Sequence, residues 1–237
     1  MKKRILYSLL IVLSYGIIYS CSKDNSSSDN NNIVIYKIPV SVTAQYIAYA
    51  FCNNAAGINL HLERAASYTT HGRTDFDSSF VMSKKDSYQY QVIYNFSRPA
   101  TIPPKALFDY SAAGTFNGGA LTSQDTQYGN GWSITTLDQA QLTVNGNGTD
   151  GGQQYSYLEK ALFSSQIHYS FVNLKMDTTT FMVTSGSATI SINGSGPGGV
   201  HFDYPGTLTF MGNRTATLVL AGSTFDISLL TGTMTKK

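Results

Sequence analysis

Apolar and polar residues alternate with a period of two along much of the chain from Ile33 onward, the mark of strands with one buried and one wet face. The last fifty residues carry the pattern most clearly. Ala188-Thr189-Ile190-Ser191-Ile192 alternates strictly and runs into the turn segment Asn193–Gly199. Val200, Phe202 and Tyr204 then fall on one face, with His201 and Asp203 on the other. Pro205-Gly206 predicts a bulge or turn, because proline cannot donate to a ladder. Leu208 and Phe210 resume the apolar face, Gly212-Asn213 predicts a tight hairpin, and Ala216, Leu218 and Leu220 follow. After Ala221-Gly222-Ser223, Phe225, Ile227 and Leu229 close an antiparallel meander.

Upstream, probable strands cover Val34–Thr43, Tyr46–Cys52, Ile58–Arg64, Ser87–Phe96, Ala106–Tyr110, Trp132–Thr136, Ala140–Val144 and Phe163–Val172. Tyr88, Tyr90, Val92, Tyr94 and Phe96 form an aromatic row that belongs on a packed face. Tyr157–Leu162 alone holds good helix formers, at most two turns. Pro99, Pro103 and Pro104 mark a crossing loop. Strand spacing of about 8–12 residues predicts one all-β domain over 33–237, an antiparallel β-sandwich or closed β-barrel with a C-terminal meander.

Charged residues make up 13% of the 237, against about 25% in an average soluble domain, yet 42% are hydrophobic, so the chain is not of the disordered class. Lys2-Lys3-Arg4 precedes the apolar run Ile5–Tyr19, the layout of a secretory signal. As a helix that run measures about 22 Å, short of the roughly 30 Å hydrocarbon core. Its removal leaves 13 basic against 14 acidic side chains, a net charge of −1, and takes away the basis for nucleic-acid binding.

Ile18-Tyr19-Ser20-Cys21 resembles the lipobox of bacterial lipoproteins. The resemblance implies a signal peptide over 1–20, cleavage before Cys21, and acylation of that residue by chains of the palmitate kind. Several chains on one residue hold a membrane where one is marginal. Ser22-Lys23-Asp24-Asn25 resembles the export signal by which Bacteroidota-type lipoproteins reach the outer face of the outer membrane. The tract 21–32 is too polar to bury and serves as a flexible tether.

With Cys21 acylated, Cys52 has no disulfide partner, and its apolar surroundings point to a buried structural thiol. Two glycine triplets, Gly146/Gly148/Gly151 and Gly194/Gly196/Gly199, fit a dinucleotide spacing, but no good helix start follows either. Asn145–Gly151 lacks the carboxylates of a calcium loop and reads as a turn. The histidines (His61, His71, His168, His201) form no local ligand pair, so neither metal nor cofactor is expected. His201 and Asp203 share a strand face, where solvated contacts explain them.

A hydrolase would need Glu63, or Asp75 and Asp77 in what reads as loop, to meet a histidine in a cleft; Glu159 lies in the helical stretch. The binding candidates are Tyr128 and Trp132 around Gly129-Asn130-Gly131, beside the polar stretch Thr122–Gln127 with Asp125. Aromatic planes there could stack on sugars while amides bond hydroxyls. For Trp132, burial at the start of a strand is the stronger of the two readings. The function expected is that of an outer-membrane lipoprotein on the cell exterior, a non-catalytic binding module for a glycan or a protein partner. A purely structural envelope role, and behind it a hydrolase, are the alternatives.

Overall fold

Two helices come first, where the sequence predicts strands. The computed structural model describes residues 37–137 and 139–237, within one compact unit spanning Ile35–Lys237; the leader, Cys21, the tether and residues 33–36 lie outside the described part. Val40–Phe51 forms α1 and Ile58–Thr70 forms α2. These overturn the strands expected over Val34–Thr43, Tyr46–Cys52 and Ile58–Arg64. Helix α1 buries nine of its twelve residues, so it shows no polar stripe; its Val, Ile, Thr and Tyr content imitates a strand. Ala44, Ala48 and Ala50 supply the helix propensity. In α2 the buried residues Ile58, His61, Leu62, Ala65, Ala66 and Thr69 recur at helical spacing beneath the misleading Ile58/Leu60/Leu62 alternation.

The rest is one antiparallel meander: β1 (Phe76–Lys84), β2 (Tyr88–Ser97), β3 (Ala106–Asn117), β4 (Leu121–Thr135), β5 (Gln141–Ser156), β6 (Ala161–Asp177), β7 (Val183–Ser195), β8 (His201–Gly212), β9 (Thr215–Leu220), β10 (Ser223–Ser228) and β11 (Met234–Lys236). Each strand pairs with its sequence neighbours only, and β1 does not pair with β11, so the fold is mainly antiparallel β with a sheet that is not closed. The C-terminal alternation holds: Phe202, Tyr204, Leu208, Phe210, Ala216, Leu218, Leu220, Phe225, Ile227 and Leu229 are buried. Asn213 and Arg214, both at positive φ, make the tight β8–β9 turn. Pro205-Gly206 is no turn but lies inside β8, paired to Ser191 and Ile190. Asp77, expected in a loop, lies in β1, and Tyr157–Lys160 is the β5–β6 turn, with Leu162 already in β6.

The sheet curls around the helical pair. Phe51 packs on Tyr169, Phe171 and Phe210; Tyr49 packs on Phe116; Tyr68 meets Phe76, Tyr94, Phe96 and Phe108. The turn between the helices ties both ends of the sheet together. Asn53 N and Asn54 N donate to the carbonyls of Leu229 and Leu230 after β10, while Ser87 Oγ at the β1–β2 turn donates to Asn54 O. Beside it, Arg214 donates to both Glu63 carboxylate oxygens (3.0 and 3.3 Å), and Asn53 Nδ2 donates to Glu63 Oε2.

Register shifts fall in line across the sheet, between Phe108/Tyr110, Asn130/Ser133, Val144/Gly146 and Val172/Lys175. An extra residue on one strand bends it and reverses the side-chain alternation beyond it. Gly131 (φ 58°) is that residue in β4.

Candidate functional site

The bulge at Gly131 decides what the sequence-predicted aromatic pair can do. Tyr128 and Trp132 are four apart, an even spacing that puts both on one face of a regular strand. The inserted residue turns them apart. Tyr128 stands on the outer face, 45% exposed, while Trp132 is fully buried. The indole donates to Asn147 O (3.0 Å) and packs among Phe108, Tyr110 and Phe171. They make no joint platform. Asn145–Gly151 is likewise no turn but the middle of β5. A Cβ on Gly146 would collide with the Trp132 ring, and one on Gly148 with the Tyr169 hydroxyl, so these glycines make room for aromatics.

Facing α1 and α2, β4 to β6 present a polar interior that sequence reasoning missed. Ser123, Asp125 and Gln127 of the supposed surface stretch point inward from β4; Asp150 and Gln154 do so from β5, and Ser165 from β6. Tyr46 Oη of α1 donates to Asp150 Oδ1 (3.1 Å), Ser123 Oγ to Asp125 Oδ2 (2.7 Å), and Ser165 Oγ to Gln154 Oε1 (2.9 Å). Among the described residues, Asp125 Oδ1, Asp150 Oδ2 and Gln154 Nε2 have no hydrogen-bond partner. Both carboxyls line a void of about 10 Å³ with Tyr46, Tyr90 and Gln127.

Burial pushes the Asp125 carboxyl up to about 6, and burial together with the Asp125 charge holds Asp150 well above the usual carboxylate range. Gln127 links the pair to a second network. Its Oε1 meets His61 Nε2 (3.3 Å), His61 Nδ1 meets Tyr94 Oη (2.7 Å), and the imidazole stacks on Tyr110. Burial lowers His61 to about 3, so the ring is neutral. A void that small admits no substrate. What this cluster can do is hold a proton inside the core.

The remaining sequence candidates stay apart. Glu63 is engaged by Arg214 and Asn53. Asp75 and Asp77 line an open cleft of about 360 Å³ with Asn95 and Asp109, and no histidine is among its lining residues. His201 and Asp203 are exposed along β8, and His168 is exposed on β6. Cys52 is buried, its thiol pushed up to about 12 by burial, as its apolar surroundings predict.

Outside, β2 to β7 keep unbroken register over three rows. The first is Gln89, Thr115, Gln124, Gln153, Ser164 and Ser195; the second is Gln91, Ala113, Thr126, Gly151, Gln166 and Asn193; the third is Ile93, Ser111, Tyr128, Thr149, His168 and Ser191. None of these eighteen residues is Lys, Arg, Asp or Glu. A shallow furrow of about 610 Å³ lies between the first and second rows, lined by the outward residues Ala113, Thr115, Gln124, Thr126, Gly151 and Gln153 and, between the rows, by Gly114, Gly152 and Asp125, whose carboxyl is buried on the inner face. No family model matches the chain, and neither curated proteins nor solved structures give a match.

Proposed function

We propose that the chain is a lipid-anchored protein of the outer membrane, facing the cell exterior, whose domain acts as a non-catalytic binding module for a glycan or a protein partner. The anchor rests on the run from Lys2 to Cys21 and its likeness to a lipobox. The observation that carries the binding part is the outer face of β2–β7, a broad surface of amides and hydroxyls without full charges. Soluble domains ordinarily keep their surface wet with Lys, Glu, Asp and Arg. A face held in rows by a rigid sheet and furnished with uncharged donors and acceptors suits ligands that hydrogen-bond without charge.

Burial of Trp132 and of the Tyr90–Phe96 row favours, as a second reading, a structural envelope protein that takes no ligand. Two experiments test these readings. In cell fractionation, Cys21→Ala is expected to release the protein from the membrane fraction, and unchanged retention refutes the anchor. Purified full-length protein is expected to bind an isolated surface polysaccharide or an envelope protein in equilibrium binding; no binding to either class leaves the structural role.

A further inference from the structure

We infer that the furrow across the outer face of β3–β5 is a binding site for a neutral glycan chain. This rests on the binding-module reading and names its site and ligand class. The furrow exists because the second row narrows at its centre. Ala113 and Gly151 are small and outward-facing, beside the longer Gln124 and Gln153 of the first row. Gly151 is the low point. A Cβ there would stand 2.8 Å from Ser165 O, so the close approach of β6 keeps the floor clear. The volume of about 610 Å³ lies within the range of small-molecule sites, about 300–1,000 Å³.

The chemistry of the walls selects the ligand. Gln124 and Gln153 each offer two N–H donors and a carbonyl acceptor, Thr115 offers a hydroxyl of both kinds, and Thr126, whose hydroxyl donates to Gly151 O (3.4 Å), offers an acceptor. Sugar hydroxyls are donors and acceptors at once and match such a set. Tyr128, two residues along β4 from Thr126, stands about 7 Å away at 3.4 Å per residue, exposed on the same face beyond the furrow's lining, where a ligand extending past the second row would meet it. A phenol ring there can stack on the apolar face of a pyranose.

With no Lys or Arg in the three rows, an anionic polymer finds no permanently charged partner. A protein partner fits less well, since interface cores use clustered large apolar anchors and these rows hold only Ile93 and Tyr128. The rows cross six strands at about 4.8 Å spacing, roughly 24 Å in all, so an extended chain has a track to follow.

Affinity electrophoresis of the detergent-solubilised full-length protein tests this, in gels cast with mannan, dextran, galactomannan or β-glucan, and with polygalacturonate as the anionic polymer. At least one neutral polymer is expected to retard the protein, and polygalacturonate is not. Ala113→Arg and Thr126→Trp, both at exposed outward positions, should weaken that binding by about ten-fold or more by filling the furrow, with melting temperature unchanged. Tyr128→Ala should weaken it by about two- to ten-fold, the range of one aromatic stacking contact. Retardation undiminished in all three variants overturns the furrow while leaving a glycan-binding module. Stronger retention by polygalacturonate overturns the neutral ligand. Absence of retardation in every gel, or p-benzoylphenylalanine at position 126 cross-linking in cells to a protein alone, overturns glycan binding itself.

Discussion

Replacing Asp125 by Asn should make the domain more stable at neutral pH and leave it nearly unchanged in acid. Asp125 is buried, accepts one hydrogen bond from Ser123 and has a second oxygen with no partner. Burial raises its carboxyl from 3.8 to about 6. A raised carboxyl means that the native state holds the proton more tightly than the unfolded chain. The stabilising contribution is complete below pH 3.8 and is lost as pH rises to about 6, above which the core holds a bare carboxylate. A shift of roughly two units corresponds to about 3 kcal/mol.

Asn keeps an acceptor for Ser123 and carries no charge, so the variant avoids that loss. At about 2–4 °C per kcal/mol for a domain of this size, its Tm should exceed wild type by about 6–12 °C at pH 7.5 and by little at pH 4. The assay is a series of thermal melts of both proteins from pH 4 to 8, followed by near-ultraviolet circular dichroism. The comparison must be a difference between the two, because other groups act in the opposite sense. His61, lowered by burial to about 3, costs stability as pH falls below 6.5. Asp177, held down first by the backbone N–H of Thr180, and Asp226, held down first by Lys237, lose their contribution at lower pH. These terms are common to both proteins and cancel. Because Asp150 is coupled to Asp125, the step observed belongs to the pair. Parallel Tm curves, or a variant less stable than wild type at pH 7.5, would refute the claim that this carboxyl is strained by burial.

Two further outcomes are expected. Trp132→Ala should cost about 3–5 kcal/mol in urea unfolding, the usual penalty for emptying a large aromatic site, whereas an indole on the surface would give less than about 1 kcal/mol. Cys52 in folded protein should resist Ellman's reagent at pH 8 and react fully in guanidinium, since its thiol is buried and pushed up to about 12; rapid labelling of native protein would contradict that burial.

Alternation made the strands legible wherever a strand has one wet face, as in His201–Tyr204, where His201 and Asp203 point out and Phe202 and Tyr204 point in. It failed where an element has no wet face. Helix α1 packs inside the sheet, so the polar stripe that announces a helix is missing; Thr43 is buried, and Ser41 and Gln45, one turn apart, are the only polar positions that are not. It failed again in β4, because Ser123, Asp125 and Gln127 are polar and inward, and a polar run between glycines imitates a loop.

The same strand shows why Trp132 is buried, the stronger of its two readings from sequence, while Tyr128 stays outside. One extra residue at Gly131 reverses the alternation between them, and nothing in Gly129-Asn130-Gly131 distinguishes a bulge from a turn until the partner strands are known. Once Trp132 is drawn inside, the glycines of β5 change meaning with it. Gly146 and Gly148 clear space for Trp132 and Tyr169 on the inner side, and Gly151 opens the furrow on the outer side. The low charge fraction follows from this division. Inward polar groups bond to α1 and α2 at Asp150 and Gln127 and to one another at Asp125 and Gln154, and the three outward rows hold amides and hydroxyls with no Lys, Arg, Asp or Glu. The absence of Lys, Arg, Asp and Glu from these eighteen positions is the property of the face on which the proposed binding role rests.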